Sequence, residues 1–139
     1  MKRALNILAL DSIGGLLAGA VTVLAAPRLT DYYGWPEGQA LCFGWVNLSY
    51  GCYSGTLALY LRRKARLSRW AVIALIAANG AWTLQCFTRA WLLWESASPL
   101  GIGQLLLEGL WVGALAYVEA RFVLPCVTAA SRERNSSKT

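Results

Sequence analysis

Apolar residues fall into four long runs separated by short polar breaks. The runs span residues 4–26, 40–61, 70–94 and 100–124. Each is close to the ~20 residues a helix needs to cross ~30 Å of hydrocarbon. The breaks carry turn and charge signals. Pro27 closes the first run, and Asp31-Tyr32-Tyr33-Gly34-Trp35-Pro36-Glu37-Gly38 forms a polar connector. The stretch from Arg62 to Arg69 is basic, and Glu95-Ser96-Ala97-Ser98-Pro99 makes a short hairpin with Pro99 placed to open the next helix. No ~10-residue alternating segments of the kind a barrel needs are present. The pattern predicts an all-α polytopic membrane protein, a single antiparallel bundle of four transmembrane helices over residues 1–130, with a polar cytoplasmic tail at 131–139.

Composition sharpens this expectation. The 139 residues are 57% hydrophobic and only 14% charged, against the ~25% charged of ordinary soluble domains. The net charge of +6 would suggest nucleic acid if it lay on a soluble face. Instead the cations sit at the ends of apolar runs. Lys2, Arg3, Arg62, Arg63, Lys64, Arg66, Arg69, Arg132, Arg134 and Lys138 fall on one side, and only Arg28 lies in the loops of the other. By the positive-inside rule both termini are expected in the cytoplasm. Tyr32, Tyr33, Trp35, Trp91 and Trp94 gather at the outer boundary and Tyr60 and Trp70 at the inner one, as interfacial anchors do. The expected partner is the lipid bilayer, with no nucleic acid. A cleaved signal peptide is a rival reading of the first run, but Asp11 interrupts it and it exceeds the 7–15 residues of a signal core.

The chain has no histidine, and its cysteines, Cys42, Cys52, Cys86 and Cys126, include no C-x-x-C pair. No metal site, cofactor or catalytic residue is therefore expected. A Cys42–Cys86 disulfide is conceivable, but small apolar packing is the simpler role. Gly15/Gly19, Gly51/Gly55 and Gly109/Gly113 are G-x-x-x-G pairs. Such pairs let helix backbones approach, within the bundle or in a homo-oligomer or membrane-protein partner. Two helical stripes are marked as bundle-facing: Asn47, Gly51, Ser54 and Ala58 on the second helix, and Asn79, Trp82, Cys86 and Arg89 on the third.

Ionisable residues inside the runs are costly in hydrocarbon and mark candidate function. Asp11 shares a face with Gly14, Gly15, Ala18 and Thr22 and has no opposite charge at matching depth. Arg89 and Glu108 lie at similar depths in adjacent helices and are expected to pair. Gln104, Glu108, Trp111, Leu115 and Glu119 form one stripe, with Glu119 and Arg121 expected at the cytoplasmic boundary. The candidate polar residues are thus Asp11, Asn47, Asn79, Arg89, Gln104 and Glu108. The expected role is a non-catalytic accessory or structural bundle, in which opposite charges fix helix register. The alternative is a small proton-coupled transporter using Asp11 and Glu108.

Leu10-Asp11 to Pro36, Asn47-Leu48-Ser49-Tyr50-Gly51, Ala78-Asn79-Gly80-Ala81-Trp82, and Ser98-Pro99-Leu100-Gly101 through Glu119 together resemble a family of small bacterial four-span proteins, DoxX-like in size and layout. The resemblance covers nearly the whole chain and implies a bacterial inner-membrane location, with no assigned activity. Asp11-Ser12-Ile13-Gly14 also resembles the Glu-x-x-Gly of small multidrug-resistance exporters. The strong basic asymmetry departs from those exporters, which insert with little bias.

Overall fold

The computed structural model describes residues 1–36, 38–64 and 67–129. The expected positions Glu37, Arg66, Arg132, Arg134 and Lys138, and the tail 131–139, lie outside them. The described residues form four helices: α1 (Lys2–Tyr33), α2 (Gln39–Lys64), α3 (Arg69–Leu92) and α4 (Pro99–Val118). A π-helical turn, Glu119–Val123, follows α4, and the helical rod then runs on to Ala129. Three of these rods, Lys2–Tyr33, Arg69–Leu92 and Pro99–Ala129, are long and apolar enough to cross a membrane. Large apolar side chains on their outer faces stay exposed, among them Leu17, Val21, Leu24, Leu84 and Leu107. That is the surface a lipid-facing helix presents.

Two helix ends differ from the sequence expectation, and both differences involve proline. Pro27 lies inside α1, which continues to a left-handed Gly34 cap at φ 64°. A proline removes one backbone donor. The exposed ring of Pro27 costs α1 that single bond and does not end it. Pro125 likewise sits inside the last helix. Its ring would press on the carbonyl one turn earlier, and the preceding turn is widened to π geometry, with the Leu124 amide donating to the Glu119 carbonyl. Pro99, by contrast, opens α4 as expected: the Ser98 side chain caps the helix by accepting from the Gly101 amide at 3.1 Å.

The helices pack as two hairpins. In the α1–α2 hairpin the glycines let backbone meet backbone. A Cβ at Gly19 would sit 2.6 Å from the Leu48 amide nitrogen, and one at Gly51 would sit 2.6 Å from that of Leu16. Ser12 Oγ closes this seam by donating to the Gly51 carbonyl at 2.8 Å. In the α3–α4 hairpin, Gly109 faces Cys86 and Phe87, and Gly113 faces Thr83. All three glycine pairs thus meet this chain's own helices. Helices α2 and α3 keep their backbones apart and meet through side chains. They are bridged by Tyr50 and Tyr53, whose hydroxyls donate to the Ala78 and Ala71 carbonyls at 2.9 and 3.1 Å.

Two apolar clusters close the ends of the bundle. Leu8, Leu61, Val72, Leu75 and Val123 fill the end near the amino terminus, and Trp35, Phe43, Trp82, Ile102 and Leu105 fill the other. Trp35 therefore corrects the expectation of an interfacial anchor. It is 5% exposed and its ring stacks obliquely between Tyr33 and Phe43, with centroids 4.7 and 5.3 Å away. The tight αL turn at Gly34 folds it inward. Trp91 and Trp94 do lie open, as anchors would.

Candidate functional site

Between the two apolar clusters lies a cavity of about 230 Å³, lined from all four helices. Helix α1 offers Asp11, Gly14, Gly15 and Ala18, the face its spacing predicted. Helix α2 brings Asn47 and Tyr50, α3 brings Asn79 and Trp82, and α4 brings Gln104, Glu108 and Trp111. Five of the six candidate residues, Asp11, Asn47, Asn79, Gln104 and Glu108, meet here; Arg89 does not. Asn79 and Asn47 are almost wholly buried, at 2% and 8% exposure, a burial that polar side chains accept only with partners.

Glu108 organises one end. Its Oε1 accepts from Asn47 Nδ2 at 2.7 Å and from Trp82 Nε1 at 2.9 Å, and its Oε2 lies 3.5 Å from Gln104 Nε2. Three N–H donors from three helices converge on one carboxylate. The expected Arg89–Glu108 pair is absent from this set, which corrects that expectation. Arg89 is half-buried outside the cavity. Depth was matched, but azimuth was not. Gly109 and Gly113 of α4 pack on Thr83, Cys86 and Phe87 of α3, while Glu108 turns to the cavity face, where Asn47 of α2 and Trp82 of α3 donate to it.

Asp11 stands at the other end, about 10 Å away by the seven residues that separate Asp11 from Ala18 and Glu108 from Leu115 along the lining. It is 6% exposed, and its Oδ2 has no hydrogen-bond partner. A further buried carboxyl belongs to a residue the sequence misplaced. Glu119, expected at the cytoplasmic boundary, is fully buried. Asn79 Nδ2 donates to its Oε2 at 3.1 Å, and its Oε1 is unpartnered. The misplacement follows from Pro125. Ending the helix at residue 124 puts Glu119 near the boundary, whereas a helix running to Ala129 puts it ten residues, or ~15 Å, from the end. The signal available in the sequence was the apolar run Phe122-Val123-Leu124 resuming past Pro125 with Cys126-Val127.

The cavity therefore presents carboxyl oxygens at both ends and aromatic faces between them. Trp82 stacks against Phe43 and Tyr50, with centroids 4.7 and 6.3 Å away. Such a space suits a proton, or a small cation held by carboxylate and aromatic faces. The four cysteines are free, and Cys86 is buried against the Gly109 contact. Among the described residues no group of three or more histidine, cysteine or acidic side chains is placed to hold a metal ion. No family model, curated protein or solved structure matches the chain.

Proposed function

We propose that the chain is a four-span membrane carrier that couples movement of a small ligand to protons, using the cavity between Asp11 and Glu108. One observation carries the reading: two acidic side chains at opposite ends of a cavity inside an apolar bundle, with no cation among the described residues against either. An ion pair that merely fixed register would join opposite charges. Here the arginine at hand lies outside the cavity, and the buried carboxyls stay accessible to the cavity's contents. Intramembrane ionisable groups placed this way characterise proton and substrate paths.

The fourth span is α2. It carries no charged residue from Gly38 to Leu61, and its polar positions Asn47 and Ser54 face inward, where they are buried. The moderate hydropathy of α2 thus reflects what it lends to the bundle interior. Four spans with short connections place both termini on the side of the basic loop, the cytoplasm, and the expected membrane is the bacterial inner membrane.

The test is transport by the purified protein in liposomes holding a pH-sensitive dye. An imposed pH gradient should drive flux of tetramethylammonium, a permanent cation small enough for the cavity. Glu108→Gln should abolish that flux while the protein stays monodisperse and helical. Absence of both proton and tetramethylammonium movement, with Glu108→Gln altering only stability, would leave the structural bundle as the better account.

A further inference from the structure

Two carboxyls that the N–H donors around Glu108 do not serve lie toward the amino-terminal end of the bundle: Asp11 lines the cavity, and Glu119 lies outside its lining. Asp11, on α1, and Glu119, in the π turn, are buried at 6% and 0% exposure. Each keeps one oxygen without a hydrogen-bond partner. Helix α1 packs directly on the π turn, and Leu8 and Val123, one turn from either carboxyl, lie in the same apolar cluster and shut this end from water. Asp11 lies three residues beyond Leu8 on α1 and Glu119 four residues before Val123 on the antiparallel last helix, so both fall at one level of the bundle. The other groups facing them are Tyr50 and Ser54 from α2 and Asn79 from α3. Asn79 donates to Glu119, and the Ser54 hydroxyl reaches Asp11 as well as the Tyr50 carbonyl at 2.9 Å, while the Tyr50 hydroxyl is committed to Ala78. The cation nearest in sequence, Arg121, is exposed and lies over the Phe122 ring.

Two negative charges in such a place would each pay for desolvation and for the other. Two neutral acids would leave the Asn79 donor facing an uncharged oxygen. The intermediate state, one acid beside one carboxylate, satisfies both conditions. We propose that Asp11 and Glu119 hold one exchangeable proton between them, and that this pair, not Glu108, is where the bundle loads its proton. The loading role rests on the carrier reading above; the pairing does not. Glu108 is then the carboxyl group that meets the ligand, and Asn79, lining the cavity and bonded to Glu119, connects the cavity to the pair. The π turn supplies the geometry by widening the helix at the residue where the carboxyl must turn inward.

Dicyclohexylcarbodiimide tests this on the full chain in detergent or liposomes. It adds to a carboxylic acid in apolar surroundings, the acid proton going to a carbodiimide nitrogen and the carboxyl oxygen to its carbon. Peptide mass spectrometry at neutral pH should find the adduct on Asp11 or Glu119 and not on Glu108. In Asp11→Asn, labelling of Glu119 should fall roughly tenfold, because the neighbouring negative charge that retains the proton is gone. Glu119→Gln, read at Asp11, gives the same test if Asp11→Asn does not fold. Unchanged labelling of the remaining carboxyl, or an adduct at Glu108 alone, overturns the pair. Protection by sodium but not by choline overturns it in favour of a metal cation. A protein that moves no protons yet labels as expected loses the carrier reading and keeps the shared proton.

Discussion

The two hairpins of this bundle are held together by different means. Between α1 and α2, glycine replaces side-chain contact with backbone contact, and Ser12 hydrogen-bonds straight to the facing helix at Gly51. Between α3 and α4, glycines receive the side chains of Thr83, Cys86 and Phe87. In lipid no hydrophobic force draws helices together, so close approach at small residues must supply the contact energy. The first hairpin takes that to its limit; the second keeps side-chain slack. The cavity opens between the hairpins, where contact is sparse and where, among the described residues, Tyr50 and Tyr53 bridge α2 to α3 by hydrogen bonds. Tight pairs facing each other across a seam of few contacts are the arrangement in which the proposed carrier would rock one pair against the other.

Substitutions along the seams should break this contrast most sharply. Gly19→Leu or Gly51→Leu drives a side chain into backbone that has no rotamer to yield, and we expect no folded protein in detergent. Even Gly51→Ala should cost about 1–3 kcal/mol in thermal or denaturant unfolding. If Gly51→Ala melts like the parent, the backbone seam is looser than described.

Loss of the Glu108 carboxylate should rank second. Glu108→Leu strands Trp82 Nε1 and one N–H of Asn47 Nδ2, which keeps its bond to the Phe43 carbonyl at 3.1 Å, at about 1–3 kcal/mol for an unsatisfied buried donor, whereas Glu108→Gln keeps an acceptor and should cost much less. Because Arg89 lies outside this network, Arg89→Met combined with Glu108→Leu should be additive within ~0.5 kcal/mol. Recovery of stability in the double mutant would restore the ion pair that the structure replaces with N–H donors.

The smallest effects are expected in the second hairpin. A Cβ at Gly113 meets Thr83 side-chain atoms at 3.2 Å, and a threonine can shift by a few tenths of an ångström. Gly113→Ala should therefore change stability by less than ~1 kcal/mol. Gly80→Ala, with nothing within 4 Å, should lose nothing. A Gly113→Ala penalty as large as that of Gly51→Ala would erase the distinction between the hairpins.

Much of the fold was legible from local pattern. The four apolar runs became four helices. The stripe Asn47, Gly51, Ser54 and Ala58 is buried throughout, and the Asp11 face with Gly14, Gly15 and Ala18 lines the cavity. Periodicity of 3.6 residues fixes which side chains share a face whatever the helix packs against. Helix ends were less legible, because proline signals a stop in isolated chain, whereas neighbouring helices and a local π adjustment absorb the lost bond at depth.

The sequence alone determined that the chain is helical and apolar, which glycines are spaced to allow close approach, and which polar residues point into a bundle. Those properties depend on neighbours three and four residues away. Only the tertiary structure decided that Glu108 faces Asn47 and Trp82 instead of Arg89, that Trp35 folds inward, and that Glu119 lies buried at the level of Asp11. Each of these depends on how far one helix is rotated and slid against another. That rotation and slide are set by contacts between residues far apart in the chain, and no local period encodes them.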